Sequence, residues 1–367
     1  MKTRKLAYGL MVIGLAMTLV ACGGKKDGGK TAAPDQAQGA EWDAKAEIDK
    51  ALATLKVGDP VPNVEEKTLT LSTHTTELDS NNVYAMAFKK AVEELSGGKM
   101  KITAYANGQL FGQSDALQAI QQGTLDIANS DTALLANYNP KASMLDLPYL
   151  IKNRDQAIKL VKSKEVTDEI STWIEDSGMH LLSIMPLNFR NSLMKDSSIG
   201  SFESFKGVTM RTPEAPHTIA AFRAFQANPT VIPSGEAYTA VQTGVADGLE
   251  GHAEYMVLQK FYEVAKNYVQ TKHVFTFTDY VMSKKVYDSL SASQKEVIDR
   301  ASDAALQVFL HYTANLFPAM EARLKELGVT FTETDLTPFM NATKAYNEEY
   351  ITTNGLNEIY EKVNSFE

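Results

Sequence analysis

The sequence repeats part of itself. Ala119-Ile120-Gln121-Gln122-Gly123-Thr124-Leu125-Asp126 is echoed by Ala240-Val241-Gln242-Thr243-Gly244-Val245-Ala246-Asp247, with Ala, Gln, Gly and Asp in register. Each copy reads as a helix end, a glycine stop and the start of a strand, because glycine tolerates the left-handed backbone that closes a helix. A helix–glycine–strand unit used twice points to an α/β chain built from two related lobes, and explains the match better than chance recurrence of a common connection.

The rest of the chain alternates in the same way. Thr68–Thr73 reads as an opening strand, and Val83–Leu95 as a helix stopped by Gly97-Gly98. Lys99–Tyr105 alternates like a strand, and Ser114 is placed to cap a helix that runs to Gln122. Asp126–Asn129 is a further strand. Gln156–Ser177 is a helix carrying Ile158, Val161, Ile170 and Trp173, broken by Gly178 before the apolar strand Met179–Met185. Such alternation predicts parallel strands, here in two sheets joined by crossing strands, with a cleft between their carboxyl edges. Ligands of open α/β folds sit in that position.

The N-terminus carries an address. Lys2, Arg4 and Lys5 precede an apolar run from Leu6 to Val20, which ends in Leu19-Val20-Ala21-Cys22. The run is short for a membrane span and its positive flank marks a secretory signal, residues 1–21. Cys22 is the only cysteine and stands at the processing point, so it is the expected lipidation site and the membrane anchor. Gly23 to about Gly39 is rich in Gly, Lys, Ala, Pro and Gln and reads as a solvated tether. Ala40–Leu55 is a candidate short amphipathic helix, and Gly58–Glu66 a second linker, giving a tether and linker region of 22–66. Gly24, Gly29, Lys30 and Thr31 fit a phosphate-loop pattern, but no strand feeds it and no helix follows, so it carries no nucleotide function.

Composition removes further classes. A mature chain without cysteine beyond the anchor has no disulfide, no thiol nucleophile and no thiolate-held zinc. The formal net charge is −9, and loss of the three positive signal residues takes it to −12, which disfavours nucleic acid. No H-E-x-x-H or G-x-S-x-G motif is present, and no convergent catalytic set can be assembled, so the chain is not expected to be an enzyme. Asp247 and Glu250, three residues apart past a glycine stop, are expected to make structural hydrogen bonds. No cofactor and no metal site are expected.

Arginine is scarce and therefore informative. Arg154, Arg300 and Arg323 read as solvated surface charges. Arg211 closes the strand Val208–Arg211, and Pro213 stiffens the turn by holding Thr212 extended. Arg190 follows the strand end at Met185-Pro186. A guanidinium offers a carboxylate two parallel donors, which lysine cannot.

Around these residues the chain resembles the solute-binding proteins of tripartite ATP-independent periplasmic (TRAP) transporters, of the dicarboxylate-binding (DctP) type. The resemblance runs from Lys67 to about Phe339. It is carried by Gly97-Gly98-Lys99, Gly108-Gln109-Leu110, Gln122-Gly123-Thr124-Leu125-Asp126-Ile127 and Leu145-Asp146-Leu147-Pro148-Tyr149. More specific are Phe205-Lys206-Gly207-Val208-Thr209-Met210-Arg211-Thr212-Pro213, Gly235-Glu236-Ala237-Tyr238, and Gln242-Thr243-Gly244-Val245-Ala246-Asp247-Gly248-Leu249-Glu250.

The resemblance implies a two-lobed, type II-like periplasmic-binding-protein fold with hinge strands and a long helix spanning both lobes. Lobe I is expected over 66–187 with 276–315, and lobe II over 188–275 with 316–367. Ser291 and Gln294 form a capping-box pattern for the long helix, which should run to Leu327 with Pro318 kinking or locally unwinding it. The resemblance gives Arg211 the grip on a ligand carboxylate, with Arg190 assisting, and places His74, Thr75, Asp131, Glu214, Ser234 and His273 along the cleft. Tyr238 matches a motif residue with a packing role. It also implies an extracytoplasmic role: binding a small organic acid and delivering it to integral membrane subunits of a TRAP transporter. The binding protein of an ATP-driven importer and a ligand-presenting sensor subunit are the alternatives. One position departs from the family pattern. Gly251 stands where an asparagine usually follows the Asp-Gly-x-Glu run, predicting a larger, less polar site in which His252 or Glu254 partly replaces the lost contact.

Overall fold

The computed structural model describes residues 43–367; the signal, Cys22 and the tether up to residue 42 lie outside them. Among the described residues nine strands form one mixed sheet: β1 (Lys67–Ser72), β2 (Met100–Tyr105), β3 (Ile127–Asp131), β4 (Met179–Met194), β5 (Thr209–Thr212), β6 (Asn228–Val231), β7 (Gly248–Gly251), β8 (Asn267–Ser283) and β9 (Thr330–Thr332). Their order is β2-β1-β3-β8-β4-β7-β5-β6, with β9 on β8.

The expected pair of sheets is thus corrected to a single sheet with two outer parallel trios. β1 pairs in parallel with β2 and β3, and β5 with β6 and β7. The two long central strands, β4 and β8, run antiparallel to each other and to the trios that they join. β4 does not end at Met185-Pro186 as expected. Proline lacks an amide donor, and the strand absorbs it through a register shift between Pro186 and Phe189 before continuing. Arg190 is therefore inside a strand. Arg154, expected to be solvated, donates to the carbonyls of Pro186 and Leu187 at this irregularity and to Thr313 Oγ1 at 2.7 Å. Arg300 is likewise no free charge: its guanidinium donates to the carbonyls of Val57 and Asp59 and holds the linker to the body.

The internal echo is structural. Gly123 (φ 77°) closes the helix Gln113–Gln122 before β3, and Gly244 (φ 82°) closes the helix Ser234–Thr243 before β7. In each copy the aspartate that ends the echo accepts from the neighbouring strand. Asp126 Oδ2 takes the amide of Thr70 at 2.7 Å, and Asp247 Oδ2 that of Thr209 at 2.8 Å. The two trios are thus assembled by one device used twice.

Helix boundaries shift where side chains compete for the first amides. Asp79 accepts from the amide of Asn81, so the second helix starts at Ser80 rather than Val83. Ser114 is not a cap; Gly112 precedes the helix and Ser114 lies within its first turn. Gln156–Ser177 is two helices, Arg154–Lys162 and Lys164–Glu175, separated by the extended Ser163. The long helix Ala292–Glu326 opens with the expected capping box of Ser291 and Gln294, and its backbone stays helical through Pro318, with no unwound turn. The short helix Ala44–Leu52 buries Ile48 and Ala51 in the cluster that also holds Val83, Phe88 and Phe309.

β8 alternates between two apolar layers, as a two-residue period requires. Tyr280 and Met282 pack with Tyr84, Phe88 and the long helix, while Phe275, Phe277 and Val281 face the opposite side. A third cluster gathers Phe205, Phe222, Phe225 and Phe339. The C-terminal segment reaches both sides of the molecule. Phe339 belongs to the third cluster, whereas Ile351, Leu356, Ile359 and Val363 pack with Ile120, Leu160 and Ile170.

Candidate functional site

The carboxyl ends of β3 and β5 converge on the middle of β4 and β8, and there a small cavity opens. It is lined by Gln113, Asp131 and Asp146 from one side, Pro213, Ala215 and Thr218 from the other, and Arg190, Val274 and Thr276 of the long strands. Its volume is about 20 Å³. That holds about one water molecule, so anything larger enters only when the walls part.

Arg190 is buried at the floor, with one N–H of each of its three nitrogens engaged. Nε and Nη2 both go to Glu250, the second at 2.6 Å, and Nη1 to Thr276 Oγ1 at 3.3 Å. Burial alone would raise the Glu250 pKa, but the Arg190 charge and its paired hydrogen bonds outweigh that and hold it well below the usual carboxylate range. Behind Glu250 lies His273, fully buried, with Nε2 3.2 Å from Oε2 and Nδ1 2.9 Å from Thr271 Oγ1. A carboxylate only accepts, so Nε2 carries the proton and Nδ1 accepts from Thr271. Burial lowers the His273 pKa and keeps the ring neutral. His273 thus stands behind Glu250, not along the cavity. Asp247 and Glu250 both make the structural bonds expected of them.

Arg211, 2 % exposed, is differently placed. Its Nε donates to the carbonyl of Ile232 at 2.8 Å, which fixes the plane of the guanidinium. Among the described residues no carboxylate lies within ion-pair distance of it. Neither Glu214, which is exposed, nor Asp131 pairs with it.

The remaining candidates divide. Asp131 ends β3 and lines the cavity. His74 follows β1, half-buried, with a buried Nδ1 that has no partner among the described residues. Burial, the larger effect, lowers the His74 pKa, and Asp131 pulls it back up. Thr75 accepts from Asn82 Nδ2 through both its hydroxyl and its carbonyl, so it shapes the loop. Ser234 is exposed at the start of its helix, 2.6 Å from the hydroxyl of Tyr255. Tyr238 donates to Glu263 at 2.9 Å. The structure therefore gathers Asp131 and Arg190 at one cavity and leaves Arg211, His74, His273, Glu214, Ser234 and Thr75 outside its lining.

The expectation at Gly251 is corrected. A Cβ there would lie 2.8 Å from Cδ1 of Tyr255 and 3.9 Å from Nη2 of Arg190, so the space beside the glycine is filled by a ring. His252 and Glu254 do not substitute for the missing amide. His252 Nδ1 accepts the amide of Tyr255 at 3.4 Å, and its own pKa is pushed down to about 3 by burial and by Arg190. Glu254 turns away to accept the amide and the hydroxyl of Ser80, each at 2.8 Å.

Four polar cavity residues escaped the sequence reading: Gln113, Asp146, Thr218 and Thr276. Asp146 had a signal, since an acid inside the apolar Leu145–Leu147 run needs a reason to be buried. It accepts from Thr132 Oγ1, and burial, with Asp131 nearby, pushes its pKa up to about 8.

Comparison with known proteins follows this geometry. The family model described as bacterial extracellular solute-binding protein, family 7, matches residues 71–353. The 2,3-diketo-L-gulonate-binding periplasmic protein of Escherichia coli is 27% identical over 73% of this chain and 82% of its own length. The sialic acid-binding periplasmic protein of Vibrio cholerae is 27% identical over 71% of this chain and 80% of its own. A TRAP periplasmic solute-binding protein of Anaerococcus prevotii, solved with bound D-glucuronate, superposes with a TM-score of 0.79 at 21% identity, covering 82% of this chain and 98% of that one. At that identity the likeness speaks for the fold.

Proposed function

The chain belongs to bacterial extracellular solute-binding protein family 7, the binding proteins of TRAP transporters, and from this premise we propose that it captures a small organic acid outside the cytoplasm through Arg211 and delivers it to the integral membrane subunits of such a transporter. Cys22 carries the lipid that keeps it at the membrane surface. Among the described residues no helix is long and apolar enough to cross a membrane, which fits a lipid as anchor.

The observation that carries this reading is the contrast between the two buried arginines. Arg190 has both arms of its fork on Glu250 and is neutralised there. Arg211 is oriented by a single carbonyl and keeps its outer nitrogens for an incoming carboxylate. Arg190 then serves as part of a rigid floor rather than as a second grip. Capture needs movement, because the present cavity admits about one water. We place the hinge in β4 and β8, with 66–187 and 276–315 moving against 188–275 and 316–367 as the lobes close over ligand. The packing of Ile351, Leu356, Ile359 and Val363 with Leu160 and Ile170 supports letting the last helix move with the first of these bodies, so that only the earlier part of 316–367 stays with the second. Relatives bind 2,3-diketo-L-gulonate, sialic acid and D-glucuronate, each of which has a carboxylate to offer.

The test is calorimetry on the mature protein with the acid identified by mass spectrometry in the purified material. Removing one member of a desolvated charge pair costs about 2–5 kcal/mol. Arg211→Ala should therefore weaken binding at least about thirtyfold, and Arg211→Lys should recover only part, because a point charge cannot supply two parallel donors. Binding by Arg211→Ala within about threefold of wild type would refute carboxylate capture by this residue.

A further inference from the structure

Two buried carboxyls meet across the boundary between the moving bodies. Glu254 lies in the first turn of the helix Ala253–Leu258, in the second body, and is 1 % exposed. Its Oε1 accepts the amide of Ser80 and its Oε2 the hydroxyl, each at 2.8 Å. Ser80 opens the helix Ser80–Leu95 of the first body. Asp79 is the N-cap of that helix, also buried, and accepts the amide of Asn81 at 2.9 Å. One acid from each body thus shares a single helix N-terminus. That end favours one negative charge, but a second one beside it needs a cation or a proton. Among the described residues no cation acts on either acid. The other titratable groups near the pair are Asp131 of β3, Tyr280 of β8 and Tyr312 of the long helix, none of them positive. His252, two residues before Glu254, is kept neutral by burial.

We propose that Asp79 and Glu254 form a proton-dependent latch, in which closing of the two bodies takes up one proton from solution and opening returns it. This rests on the reading that 66–187 moves against 188–275. In the closed form burial, the largest effect, raises both acids, Asp79 to about 7 and Glu254 well above its ordinary value. Asp79 adds to the rise at Glu254, while the Ser80 and Asn81 bonds oppose it. Once the bodies part, water returns to each carboxyl and both ionise. A value raised in the closed form means that closure is favoured at lower pH and lost as pH rises through that value. His217 works in the opposite sense. Its Nε2 lies 2.9 Å from Oγ of Ser143 in the first body, and burial lowers its pKa to about 4. Above its ordinary value of 6.5 the ring is neutral in either form, so the latch is read from there upward.

The experiment needs no ligand, so it does not depend on which acid Arg211 holds. Residue 22 is the only cysteine, so the mature chain with Cys22→Ser can carry a dye pair at Lys101→Cys and Arg223→Cys, both exposed, one on each body. Energy transfer then reads the closed-to-open ratio from pH 6.5 to pH 8.5. In this labelled parent the ratio should fall at least about fourfold, as one proton held at about 7 in the closed form requires. Asp79→Asn with Glu254→Gln keeps acceptor oxygens and removes the titration. Its ratio should stay level within about 1.5-fold and exceed the parent's at pH 8.5. Ser80→Glu adds a third carboxyl and should open the bodies across the range. A parent that ignores pH, or a double variant that keeps the fall, overturns the proposal. If Ser80→Glu opens the bodies while the parent ignores pH, the hinge stands and the latch alone has failed. If no variant and no pH alters the transfer, the hinge reading has failed and the latch falls with it.

Discussion

Replacing Glu250 with glutamine would expose how much of the fold depends on one buried pair. The carboxylate is fully buried and accepts two N–H groups of Arg190 and one of His273. Glutamine keeps one acceptor oxygen but turns the other into an amide donor, which then faces a donor it cannot satisfy. It also leaves the Arg190 charge buried without its counter-ion. Breaking a buried pair from one side costs about 3–5 kcal/mol. With roughly 300 ordered residues and about 2.1 cal/mol/K of unfolding entropy per residue, the melting temperature should fall by about 5–8 °C at pH 7. The sign of the pH dependence follows from the lowered Glu250 pKa. Its contribution is present above the ordinary glutamate value of 4.5 and is lost as pH falls toward the folded-state value. Wild type and variant should therefore differ fully at pH 7 and converge below about 4.5. Exchanging both partners for apolar residues, Arg190→Met with Glu250→Leu, should be milder than Glu250→Gln, since no charge is then stranded. Calorimetric unfolding across pH reads all of this. A Glu250→Gln melting point within about 1 °C of wild type at pH 7 would sink the argument.

Asp146, with its pKa raised to about 8 by burial, acts in the opposite sense. Its folded-state proton is held where the unfolded chain has released it, so the stability it lends declines as pH rises through about 8, and Asp146→Asn should gain on wild type between pH 5 and pH 8. An equal melting-point difference at both pH values would contradict that. Pro318 sits exposed in a helix that stays helical around it, so Pro318→Ala should restore a backbone hydrogen bond and raise the melting temperature; a lower one would show that the proline shapes the packing. Cys22→Ser should leave the precursor unprocessed or release the protein from the membrane, because the thiol is the acylation point, and normal lipoprotein fractionation of the variant would rule out the anchor.

What the sequence made legible was whatever depends on local chemistry. Glycine stops at 123 and 244, the capping box at Ser291 and the strand-end setting of Arg211 are each written in a few adjacent residues. What it concealed depends on residues meeting across the sheet. Pro186 reads locally as a strand end, yet pairing with β8 carries β4 past it through a register shift. Arg190 then looks like a second ligand grip until Glu250, sixty residues away, is seen to take its fork. Gly251 reads as empty space because the ring that fills it arrives from the next helix, where nothing in a glycine announces a tyrosine four positions on.

The echo itself goes further than its eight residues. Counting three positions past the shared aspartates, the first copy places Asn129 and the second Glu250, both fully buried and both directed at the long strands. Asn129 Nδ2 donates to Thr278 Oγ1 of β8 at 2.8 Å, and Glu250 accepts from His273 of β8 and Arg190 of β4. Each trio is therefore fastened to the central strands by a polar side chain at the same position, the neutral amide on one side and a charged network on the other. A buried neutral amide demands little beyond its hydrogen bonds, whereas a buried carboxylate demands a cation, and Arg190 supplies it. That demand removes Arg190 from the pool of groups able to hold a ligand and leaves Arg211, on the neighbouring parallel strand, as the guanidinium with nitrogens to offer. On the proposed reading of Arg211, the asymmetry between two otherwise matching halves would decide on which side an acid is gripped.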